Sequence, residues 1–90
     1  MSITVNIPPL LYQYTSNQRS AEVVGNTVDD CLQQLIKVFP DVKPWLFDKS
    51  GKLHIYVDVL VNKKSSYPEI VSKPVNNGDE LQIIYLMGGG

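Results

Sequence analysis

Between Asn26 and Asp41 the chain reads NTVDDCLQQLIKVFPD. Val28, Cys31, Leu32, Leu35, Ile36 and Phe39 recur at helical spacing and make one apolar stripe. Thr27 stands where an N-cap belongs, and Asp29 and Asp30 place negative charge at the positive end of the helix dipole. Pro40 stops the helix, because the residue before a proline is pushed out of the helical region. A helix with one apolar stripe must cover another layer, and the flanking segments read as strands.

Ile3, Val5 and Ile7 alternate with Ser2, Thr4 and Asn6, the period of a half-buried strand, and Pro8-Pro9 ends it. Leu10 to Ser20 turns polar towards its end and reads as a loop. SAEVVG is a second short strand, closed by Gly25-Asn26 and able to pair with the first as a hairpin with a long connection. DVKPWLFDKSGK reads as an irregular connection that tucks Trp45, Leu46 and Phe47 onto the core and turns at Ser50-Gly51. LHIYVDVLVN is a strand with Ile55, Val57, Val59 and Val61 on one face and His54, Tyr56, Asp58 and Leu60 on the other. Residues 62–79 are loop-rich with room for one short strand, and NNGDE is a turn. ELQIIYLM is the last strand, with Leu81, Ile83 and Tyr85 set against Gln82, Ile84 and Leu86. The order predicts a small α+β domain, one helix against one sheet. The second sheet face meets water, and Tyr56, Leu60, Ile84 and Leu86 give it apolar surface, a candidate partner patch.

Ninety residues suit a single domain, spanning 1–87 with 88–90 as a flexible tail. The 43% apolar and 19% charged residues are those of a globular chain. A net charge of -1 gives no electrostatic reason to expect nucleic acid or an anionic membrane surface. The N-terminus lacks a signal-peptide pattern, and no stretch approaches the roughly 20 apolar residues of a membrane span. Cys31 is the one cysteine and suits a reducing cytoplasm. Its place on the apolar stripe reads as a buried, inert thiol rather than a nucleophile. His54, the one histidine, reads as a surface or cross-strand residue, and the two residues together cannot build a usual zinc site. Asp29 and Asp30 serve the helix dipole rather than acid–base work, and Lys63-Lys64 reads as a solvated turn. No phosphate loop is present, because no helix follows the terminal glycines. An enzyme acting alone is therefore not expected, and no bound cofactor or metal is.

What is left is the end, LQIIYLMGGG. From the residues alone it is either a functionless frayed end or a tool that works because it lacks side chains. Extended, three glycines reach roughly 10 Å, and the stretch from Tyr85 about 20 Å, enough to pass a carboxylate through a narrow tunnel into a partner's active site. Any side chain there would jam the tunnel or restrict the backbone. A carboxylate is a poor electrophile, so a partner using ATP has to activate it. Ordering three residues costs roughly 3–6 kcal/mol, which docking of the folded body has to offset.

The ordered set GNTV opening the helix, the V-x-V-x-V-N strand, NNGDELQII and terminal Gly-Gly resembles the ThiS/MoaD sulfur carriers. The IP after the first strand, the YTSN loop, GKLHIYVDVLVN and GDELQII bring it nearest to the carriers of thiocarboxylate-dependent cysteine biosynthesis. The resemblance implies a ubiquitin-like β-grasp fold: a mixed four- to five-stranded sheet on one main helix, with first and last strands adjacent and parallel. It implies adenylation of Gly90 by a ubiquitin-activating-type adenylyltransferase using ATP. A sulfurtransferase or other donor then makes the thiocarboxylate, and an acceptor synthase, cysteine-synthase-like, takes the sulfur. Gly89 and Gly88 would thread the partner's site; Tyr85, Leu86 and Met87 would line the exit; Tyr56 and Leu60 belong to the docking patch. A metalloprotease is a further partner if residues follow Gly90. The alternatives are the small subunit of molybdopterin synthase, inserting its tail into the large subunit, a protein modifier conjugated through Gly90, and an interaction domain with an idle tail. The chain departs from its relatives at Ser16-Asn17, where they often have glycines, at Lys63, where they usually have Asn-Gly, and at Gly88, where alanine is common.

Overall fold

The structure, a computed structural model, describes residues 2–86. Strand β1 (Ile3–Asn6) buries Ile3 and Val5, and Ile7 follows them into the core. It pairs antiparallel with β2 (Ser20–Val23), Val5 opposite Ala21, as a hairpin with a long connection. That connection is more ordered than a loop. Pro9–Tyr14 coil into a 3-10 helix with proline at its start, and Leu11 drops fully into the core. Thr15 is buried behind it and donates its hydroxyl to the Gln18 carbonyl at 2.9 Å. Six residues of 3-10 helix are too short to show a period, and the polar stretch that follows hides the one buried leucine.

Helix α1 (Val28–Val38) starts with a reciprocal cap. The Asp30 N–H donates to Thr27 Oγ1 at 3.1 Å, while Asp30 Oδ2 accepts from the Asn26 N–H at 2.9 Å. Gly25 is forced by this packing: a Cβ there would lie 2.5 Å from the Cβ of Asp30. Val28, Cys31, Leu32 and Leu35 are fully buried, with Ile36 and Phe39 packed at the margin. The next segment is helical rather than irregular, a 3-10 turn at Pro40–Val42 followed by the single turn α2 (Lys43–Leu46). It tucks onto the core as expected, burying Val42, Leu46 and Phe47.

Strands β3 (Val57–Val61), β4 (Lys64–Ser65) and β5 (Glu80–Tyr85) complete a five-stranded sheet in the order β2-β1-β5-β3-β4. First and last strands are adjacent and parallel, Val5 opposite Leu81, and every other pair is antiparallel. The α+β reading holds, as does the mixed sheet. β5, flanked on both sides, buries Leu81 and Ile83 completely.

The third strand is shorter than its pattern. The Val57 N–H donates to the His54 carbonyl at 3.0 Å, so His54 to Val57 is a tight turn with Ile55 at its tip, 96% exposed. Alternating apolar residues in a turn look like a strand, but β5 ends opposite Val57, and among the described residues only the Leu86 N–H reaches one step further, to the Tyr56 carbonyl. Asp58, on the face away from α1, is nonetheless buried: its Oδ1 accepts from the Val59 N–H at 2.8 Å and its Oδ2 from the Ser65 hydroxyl at 2.6 Å.

Among the described residues, four other than glycine have left-handed backbone: Ser16 (φ 51°), Asn17 (φ 61°), Asn62 (φ 51°) and Lys63 (φ 73°). Asn62 and Lys63 form the two-residue connection between Val61 and its partner Lys64, the hairpin geometry that needs positive φ at both centres. Ser16, Asn17 and Lys63 stand where the resemblance leads one to expect glycine, so the departures fall on strained backbone. Lys63→Gly is expected to stabilise the chain by about 1 kcal/mol, raising Tm by about 4–8 °C, while Lys63→Ala does not. Thermal unfolding of the two variants checks this.

Candidate functional site

The expected site is where β5 gives out. Among the described residues the last backbone tie is the Leu86 N–H donating to the Tyr56 carbonyl at 2.7 Å, which continues the β3–β5 ladder by one step into the His54–Val57 turn. Tyr56 (42% exposed) and Leu86 (46% exposed) therefore sit side by side at the rim of the sheet. Leu60 and Ile84, half-buried, share the alternation that places them on the face away from α1. Leu60, Ile84 and Leu86 thus fall on one side of β3 and β5, and Tyr56, in the turn beside Leu86, adds a part-exposed ring at the strand's exit. The same face turns polar towards β1 and β2, where Thr4 donates to Glu22 at 2.7 Å and Asn6 to Glu80 at 2.6 Å. Met87, Gly88, Gly89 and Gly90 lie outside the described residues.

Tyr85 points the other way. Its hydroxyl donates to the Trp45 carbonyl in α2 at 2.8 Å, and its ring lies 6.0 Å from that of Tyr56. Burial, with the neighbouring Tyr56, pushes its phenol well above the ordinary range, so it stays a hydrogen-bond donor. His54, at the start of the turn, packs against α2 and Tyr56. Its Nε2 lies 2.8 Å from the Pro44 carbonyl, which only accepts, so the ring carries a proton there. The imidazole stacks on Tyr56 at 4.8 Å and 10°.

Residues on the far side of the turn escaped the sequence reading. Ile55, Tyr67 and Val71 are exposed and, with Leu53, Pro68 and Ile70, line an open groove of about 370 Å³. No periodicity marks them, because they come from a turn and a loop. Among the described residues no group of three or more His, Cys, Asp or Glu is placed to hold a metal ion, and no helix is long and apolar enough to cross a membrane.

No protein-family model matches the chain. The sulfur carrier protein CysO of Mycobacterium tuberculosis is 29% identical over 93 residues, covering all of both chains. Among solved structures, a chain of the Amycolatopsis orientalis BexX/CysO complex is 29% identical with a TM-score of 0.86, over 98% of this chain and 99% of that one. SAMP1 of Haloferax volcanii, at 24% identity, shares the fold with a TM-score of 0.85 over the whole of both chains. The likeness to sulfur carriers seen in the motifs extends over the full length, and the fold is the ubiquitin-like β-grasp.

Cys31 completes the inventory. It is fully buried on α1, and burial, then the charges of Asp30 and Asp79, push its thiol up to about 11. The folded chain keeps this proton while the unfolded chain loses it near the ordinary value of 9.0, so the thiol's contribution to stability falls as pH rises from there. At pH 8 a thiol reagent is expected to modify Cys31 only as fast as the chain unfolds. Labelling at the same rate in native and denatured protein would contradict this.

Proposed function

We propose that this chain, which resembles the ThiS/MoaD sulfur carriers and has their β-grasp fold, is itself a sulfur carrier. The observation that carries the reading is the full-length likeness to a curated sulfur carrier protein. The geometry supports it: a buried central strand runs out at Leu86 beside an apolar patch, with Gly88, Gly89 and Gly90 next in the sequence.

The reaction begins when the Gly90 carboxylate attacks the α-phosphate of ATP in a ubiquitin-activating-type enzyme, releasing pyrophosphate and leaving an acyl-adenylate. Sulfide displaces AMP and yields the thiocarboxylate directly; a sulfurtransferase persulfide displaces AMP to give an acyl disulfide, whose S–S bond a thiol then reduces to the thiocarboxylate. A partner synthase takes that sulfur for cysteine or a related metabolite. The chain itself performs no bond chemistry beyond presenting this carboxyl. Tyr56, Leu60 and Leu86 give the partners an apolar surface, whose burial offsets the roughly 3–6 kcal/mol needed to order three glycines. Gly89 and Gly88 leave the backbone bare where the partner closes around it.

Incubation of the purified chain with ATP, its adenylating enzyme and a sulfide source tests this. Thiocarboxylate at Gly90 is the expected product. Gly89→Val is expected to slow its formation by at least about tenfold with no change in Tm, since a β-branched side chain jams a tunnel shaped for none. Equal loading of the variant would overturn the threading. Adducts of Gly90 with lysine side chains in place of the thiocarboxylate would make the chain a modifier instead.

A further inference from the structure

We propose that Tyr85 and His54 are positioning residues: they anchor the end of β5 to α2 and so set the direction in which the chain leaves the sheet towards an activating partner. This rests on the carrier reading above. It begins from the four carbonyls of α2, a single turn whose acceptors have no partners within the helix. The Lys43 carbonyl accepts from the Phe47 N–H at 2.9 Å and the Leu46 carbonyl from the His54 N–H at 2.9 Å. The two between them are met by side chains from the strand's exit: Pro44 by His54 Nε2 and Trp45 by the Tyr85 hydroxyl, each at 2.8 Å.

The two donors are joined to each other. His54 stacks on Tyr56 at 4.8 Å, Tyr56 lies 6.0 Å from Tyr85, and the Tyr56 carbonyl accepts the Leu86 N–H. On the far side, the Trp45 ring packs against Tyr14 at 5.5 Å, tying the assembly to the 3-10 helix. The last residue of β5 is thus held through its backbone by β3 and through its side chain by α2. A residue that only filled space here would need no hydroxyl, since phenylalanine has the same ring. The hydroxyl adds orientation. A strand end frays unless something holds it, and each residue held before docking is one that the partner need not order.

The test is ATP–pyrophosphate exchange by the adenylating enzyme of the same organism, with the intact chain as the varied substrate. Tyr85→Phe keeps the ring and removes the hydrogen bond, and is expected to raise KM about fivefold with kcat within about twofold. The Leu86 amide is expected to exchange faster by a similar factor while that of Ile83 keeps its protection. His54→Ala is expected to act in the same direction, and the double variant to fall short of the product of the two, because they share one network. An unchanged KM in Tyr85→Phe overturns the inference, whatever happens to exchange. A change in kcat alone overturns it too. A wild-type chain that is not adenylated at all overturns the carrier reading, and the anchor as a device for loading falls with it.

Discussion

The parallel pairing of β1 with β5 is the constraint on which the rest of the structure depends. It joins residues about 76 apart in sequence, Val5 with Leu81 and Asn6 with Gln82, and it puts the last strand in the middle of the sheet. An edge strand could peel away when its end is pulled. Here Leu81 and Gln82 are paired on both sides, by β1 and β3, Leu81 and Ile83 are fully buried, and Ile83 to Tyr85 stay paired with β3. A last strand seated in this way suits the carrier proposed above.

The same pairing explains where stability and strain reside. Apolar burial is concentrated on the α1 stripe and the inner faces of β1, β3 and β5. The left-handed residues lie at the periphery, in the loop after Tyr14 and in the β3–β4 hairpin. Asp58 shows a different compromise. β4 pairs with only the last two residues of β3, and the buried carboxylate takes up the Val59 N–H while holding Ser65. A polar group buried on those terms is satisfied and rigidifying rather than costly.

Much of this was legible in the residues. Thr27, the stripe from Val28 to Phe39 and Pro40 named α1, because capping and a period of 3.6 are local properties. The alternation of Ile3, Val5 and Ile7, and of Leu81 and Ile83, named β1 and β5 for the same reason. What failed was non-local. His54-Ile55-Tyr56 alternates like a strand but turns, since the ladder it would need ends opposite Val57. The helical turns at Pro9–Tyr14 and Lys43–Leu46 are too short to show a period. At the site, Leu60 and Leu86 were legible because strand parity places them. The turning of Tyr85 towards Trp45 was not, because nothing in the sequence says which carbonyl across a gap of 40 residues will be left unpaired.

The proposed carrier presents a terminal carboxyl for others to load. Intact-protein mass spectrometry of the chain isolated from its own cells, with fragmentation to locate any change, tests that most directly. A fraction of molecules in which one oxygen of Gly90 is replaced by sulfur is the predicted result. A population that carries only the ordinary carboxylate, even in cells starved of the sulfur metabolite and unable to pass sulfur on, would contradict it.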